Sequence, residues 1–87
     1  MASVAELKAA IDAAMQQVTD VQTAVRAAGE QLTQAQQILA AALEGSGHES
    51  VQAAHAALAQ AEQDLQECLT ATVTAVEQAQ TYVANLG

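Results

Sequence analysis

The sequence has no proline, tryptophan or phenylalanine, one tyrosine, one cysteine and only two basic residues in 87. Without proline it lacks the main internal helix breaker. Without large rings it lacks both a bulky core and the aromatic pairs that stabilise small sheets. One cysteine cannot close an internal disulfide, so the chain does not belong with stapled small scaffolds. Two cations against ten acids leave a net charge of −8, which repels phosphate backbones and anionic lipid surfaces; binding to nucleic acid or a membrane is not expected. No apolar run approaches the roughly 20 residues of a membrane span, and the first twelve residues carry acids where a cleaved signal has a basic segment and an apolar run. The expectation is a cytoplasmic protein, exported, if at all, without a cleaved signal peptide.

What fills the chain instead is helix-forming residues. There are 23 alanines and 13 glutamines, and 52% of residues are hydrophobic although 1% are aromatic. This composition predicts an all-α protein. A short chain whose apolar residues are mostly alanine buries little surface per residue, so two helices alone are marginal and a partner surface is expected.

The turn residues cluster once, at Gly45-Ser46-Gly47 near the midpoint. Glycine after Glu44 suits the left-handed residue that ends a helix, and Ser46 with Glu49 matches the S-x-x-E capping box that starts one. The same box opens the chain as Ser3 and Glu6. Residues 1–87 therefore read as a single two-helix antiparallel coiled-coil hairpin, with a helix over about 4–44, a turn at 45–47 and a helix over about 47–86.

In the first helix Val4, Ile11, Val18, Val25, Leu32 and Leu39 repeat every seven residues, accompanied by Leu7, Ala14, Val21, Ala28, Ala35 and Ala42. That is a coiled-coil pattern. The second helix repeats as Val51, Ala54, Leu58, Ala61, Leu65, Cys68 and Thr72, then Val76, Ala79, Val83 and Leu86, with a stutter around Thr72 that predicts local unwinding. Folding one stripe on the other pairs residues whose numbers add to about 93. Leu39 then faces Ala54, Ala35 faces Leu58, Leu32 faces Ala61 and Ala28 faces Leu65, large against small. Both helices turn β-branched at mid-length, from Val18 to Val25 and from Thr70 to Val76, with Gly29 nearby. The waist is a weaker helix former and a candidate bend.

Outside these stripes lie Met15, Ile38, Leu43, Leu69 and Val73, which are the candidate partner-binding residues. Their second stripes predict a four-helix bundle completed by dimerisation, with the partner a second copy or another helical protein.

Reactive groups are few, and no enzyme, metal site or cofactor is expected. His48 lies at the turn; His55 and Glu62 are about 10 Å apart along a helix, too far for a direct hydrogen bond or for ligating one metal ion. Cys68 falls on the expected core stripe, with no basic neighbour to activate it. No two carboxylates share an evident pocket, as paired acid and base groups require.

In size, acidity, absence of a cleaved signal and a central Gly-Ser-Gly turn, the chain resembles the small helical-hairpin proteins associated with type VII secretion, and most closely an alanine-rich actinobacterial branch. Its turn, Glu44-Gly45-Ser46-Gly47-His48, has no Trp-Xaa-Gly motif, and Leu86 stands four residues after Tyr82 where an export signal has an acid. The resemblance implies a non-enzymatic adaptor that packs on the helical leader of a larger effector, such as a toxin, with the partner carrying the signal. The alternative is a self-assembling homodimeric structural coiled coil.

Overall fold

Ser3 holds extended backbone (φ −70°, ψ 165°), and its hydroxyl accepts the Glu6 amide hydrogen at 3.1 Å. This cap starts α1, Val4–Ala42, as the sequence predicts. The computed structural model describes residues 3–86, and within them the chain is two helices joined by one turn, the second being α2, Glu49–Ala84. The fold is therefore an all-α helical hairpin.

At the turn, the Leu43 amide donates to the Leu39 carbonyl and the Ser46 amide donates to the Leu43 carbonyl at 2.9 Å. Gly45 between them has φ +82°, a left-handed conformation that glycine adopts without the Cβ penalty. These bonds commit Ser46 to closing α1. The expected Ser46–Glu49 capping box accordingly gives way to a different cap: His48 is the extended residue, and its Nδ1 accepts the Ser50 amide hydrogen at 3.1 Å. The connection thus runs over 43–48, longer at both ends than the expected turn at 45–47.

The hairpin measures 63 × 18 × 15 Å with a radius of gyration of 19.6 Å, against about 12 Å for a compact chain of this length. Among the described residues none is buried. Most of the half-buried ones trace a single stripe along each arm: Lys8, Ile11, Met15, Val18, Gln22, Val25, Gly29, Leu32, Gln36, Leu39 and, just past α1, Leu43 on the first; Val51, His55, Leu58, Glu62, Leu65, Leu69, Thr72, Val76, Ala79, Val83 and, past α2, Leu86 on the second; Leu7, Ala28 and Ala61 are half-buried beside it. The register is antiparallel. Gln22 Nε2 donates to Thr72 Oγ1 at 3.1 Å and Thr33 Oγ1 donates to Glu62 Oε1 at 3.0 Å, pairs whose numbers add to 94 and 95, one or two beyond the expected value.

The seam differs from the expected one by a rotation of each helix. Ile11, Val18, Val25, Leu32 and Leu39 face inward as predicted, whereas Val4 at the start of the set is 50% exposed, and their companions stand four residues on, not three. Met15, Leu43 and Leu69 join the seam, while Ala14, Val21, Ala35, Ala42, Ala54 and Cys68 lie exposed; Ala28 and Ala61 stay half-buried at the edge. Burial of apolar area accounts for the choice, because Met and Leu remove far more surface from water than Ala. The rotation brings Gln22, Gln36, His55 and Glu62 to the seam as well. A seam covered by only two helices leaves an open edge, where long side chains can lay their stems on apolar neighbours and turn their polar ends outward. In this arrangement α2 keeps one heptad spacing from Val51 to Leu86, and the expected stutter at Thr72 does not occur.

The β-branched waist stays helical throughout. Hydroxyls of Thr19, Thr23, Thr70 and Thr74 each donate to the carbonyl four residues earlier, at 3.1–3.3 Å, so their polar groups are satisfied within the helix.

Candidate partner-binding face

Two grooves flank the seam, and their chemistry differs. One is lined by Arg26, Glu30, Thr33, Glu62 and Gln66 over a floor of Val25, Gly29, Leu65 and Leu69. It is internally bonded: the Thr33 hydroxyl lies 3.0 Å from Glu62 Oε1 and 3.1 Å from the Gly29 carbonyl. A Cβ placed on Gly29 would meet no atom within 4 Å, so the glycine leaves open space in the groove.

The groove on the other side is lined by Ala28, Gln31, Leu32, Ala35, Ala61, Asp64 and Leu65. Steps of seven extend it along the hairpin, through Ala14, Val21 and Ala42 on α1 and Ala54, Cys68, Ala75 and Tyr82 on α2. Apart from Val21 and Tyr82 these are small residues, and the rotated seam leaves all of them outside. Val21 is 49% exposed and Tyr82 50%, and Ile38, at the groove's outer edge, is 70% exposed. The result is a continuous apolar trough with alanine walls.

The five residues predicted to bind a partner therefore separate. Met15, Leu43 and Leu69 are half-buried on the stripes that hold the helices together, because the seam needs their bulk. Ile38 borders the alanine trough. Val73, 42% exposed, stands on the polar side, in heptad step with Gln66. Val21, Ala28 and Ala61 belong to the trough and were missed as partner residues because the heptad pattern marks them equally well as core; Tyr82 joins them because α2 keeps one spacing in place of the expected stutter. One signal in the sequence distinguishes the two alternatives: side-chain size, since the companions four residues on include Met15, Leu43, Leu69, Val76 and Val83.

Cys68 is an exposed free thiol in the trough. His48 is engaged as a helix cap and His55 lies half-buried in the seam opposite Leu39. Among the described residues no three His, Cys, Asp or Glu side chains come together as metal ligands. Among them too, no helix is long and apolar enough to cross a membrane. No family model, curated protein or solved structure matches the chain.

Proposed function

We propose that this protein is a non-enzymatic helical adaptor, half of a bundle whose alanine trough is completed by helices of another chain. The observation that carries this reading is the trough itself: an apolar face running along both helices, flanked by Val21, Ile38 and Tyr82, each about half exposed or more. Alanine walls admit close approach of a helix that brings its own large side chains, and an exposed apolar patch of this length marks an interaction surface. A hairpin in which none of the described residues is buried also gains more from a partner than a globular domain does. In the secretion setting that the resemblance implies, the partner is the helical leader of a larger effector, and the adaptor travels with it.

The test is capture from the producing cells and their medium with tagged wild-type protein and with a Val21→Glu, Ala61→Glu variant side by side. A larger protein with a helical leader, recovered near one-to-one by the wild type and lost with the variant, supports the adaptor. Equal recovery by both would remove the trough from the interaction.

A second reading, self-assembly into a homodimeric bundle, is favoured by the way the acidic residues are distributed.

A further inference from the structure

We infer that the trough is covered by a second copy of this chain, stacked antiparallel so that the turn of each hairpin lies over the open end of the other. The inference rests on the reading above only in taking the trough as a docking face; it names the occupant in the free protein, which an effector's helical leader would displace.

Charge is the first obstacle to self-association at a net −8, and the surface removes it. Of ten acids, Asp64 alone borders the trough. Glu30 and Glu62 line the opposite groove, and heptad spacing puts Asp12 and Glu77 on that same side. Glu6, Asp20 and Glu67 fall on the outward backs of the helices, and Glu44 and Glu49 lie beside the turn. Two such troughs can meet with their acids turned away, so self-association costs little repulsion.

Area agrees. The accessible surface is 6179 Å², whereas a compact monomer of 8.9 kDa exposes about 4,800 Å². That excess reflects the extended shape; one long face of the 63 × 18 × 15 Å body covers about 1,100 Å², above the roughly 800 Å² that each partner contributes to a standard interface.

The taper of the trough selects the orientation. Leu7 and Tyr82 give bulk at the open end and Val21 near the middle, while the walls toward the turn are alanine with Ile38 at their outer edge. Stacking turn over open end sets Val21 over Ala28 of the second copy and Leu7 over Ala42, large against small. Ile38, the large residue near the turn, then lies over Ala10 and Ala14. Stacking turn over turn would lay α1 on α2, crowd Leu7 toward Tyr82 at the open end and bring the Glu44 carboxylate of one copy toward Glu49 of the other. The antiparallel arrangement lays α2 on α2. Cys68, level with Arg26 in the hairpin register, is near the midpoint of the trough, so the two thiols meet close to the twofold axis.

Sedimentation equilibrium of the full chain over a hundredfold concentration range, paired with diamide oxidation, tests both parts. Expected is a reversible species of twice the 8.9 kDa chain mass. Val21→Glu with Ala61→Glu should weaken its self-association by about 100-fold or more. Val73→Glu, on the polar side, should leave it unchanged. Diamide should convert the wild-type dimer to a disulfide-linked dimer through Cys68, a readout independent of any variant's folding. A monomer at every concentration would overturn the second copy and leave the trough to a different helical protein. A dimer untouched by the double charge would overturn the trough itself, and the adaptor reading with it. A dimer that diamide does not link would overturn the antiparallel stacking.

Discussion

Gln22 and Thr72, fifty residues apart in sequence, are joined across the seam by a 3.1 Å hydrogen bond, and the Thr72 hydroxyl passes its own hydrogen to the Leu69 carbonyl at 2.7 Å. The relay runs from one helix into the backbone of the other. A polar pair inside an apolar seam fixes the alignment of two helices, because sliding either one by a residue breaks the bond. A double-mutant cycle with Gln22→Ala and Thr72→Ala should give a coupling of about 0.5–1.5 kcal/mol by thermal unfolding. Additive effects would show that the pair contributes nothing to the register.

Gln36 presents the opposite case. It occupies a seam position opposite Leu58, and its Nε2 is covered without a hydrogen-bond partner. Gln36→Leu should stabilise the hairpin by about 1–3 kcal/mol, since an unsatisfied donor is replaced by apolar volume. A lower melting temperature for the variant would count against the assignment of Gln36 to the seam.

The rotated seam predicts which truncations hurt. Leu69→Ala and Leu43→Ala should each cost about 1–2 kcal/mol, below the range for fully buried leucines because both sites are half-buried. Ile38→Ala, at a site 70% exposed, should stay within about 0.5 kcal/mol in the isolated chain. Equal costs at Leu69 and Ile38 would mean that the seam is not the one described.

Two glycines should respond with opposite signs to alanine. Gly29 is helical and a Cβ there meets nothing within 4 Å, so Gly29→Ala should raise stability by about 0.5–1 kcal/mol. Gly45, at φ +82°, should lose about 1 kcal/mol as alanine. Melting temperatures of the two variants, measured at one protein concentration, check both signs.

The start of α2 offers a test of capping. His48→Ala removes the acceptor for the Ser50 amide and should cost about 1 kcal/mol, whereas His48→Asn supplies an oxygen that can replace it. Ser46→Ala should cost less than His48→Ala, because Ser46 Oγ accepts only the His48 amide, at 3.5 Å. Helix content and unfolding midpoints report the difference. A larger loss at Ser46 than at His48 would return the cap to the serine.

The two helices, the turn and the pairing register were legible because each depends on local or periodic signals: Ser3 as a cap, Gly45 as the left-handed residue, and valines and leucines every seven residues. The register was read to within one or two residues. The face was harder. Positions three and four after each Val or Leu compete for the seam, and a binary apolar pattern scores Ala28 and Val21 as well as it scores Met15 and Leu69. Side-chain volume decides between them, and accepting that answer means tolerating Gln22, Gln36 and Glu62 inward, which a polar-out rule forbids. For the same reason the candidate partner residues came out divided: three of the five hold the hairpin itself together. His48 as a cap was not legible, since histidine is not among the residues that ordinarily start helices.

The unbroken seven-residue spacing on both helices makes the hairpin a two-armed ruler. Because α1 and α2 index one another through an antiparallel alignment, excising one heptad from each arm at the same level would leave every remaining layer matched and every face where it was. Inserting one residue in a single arm would turn all that lies beyond it by about 100° and break the alignment. Length is thus a tolerant property of this architecture, provided that both arms change together, and phase is an intolerant one.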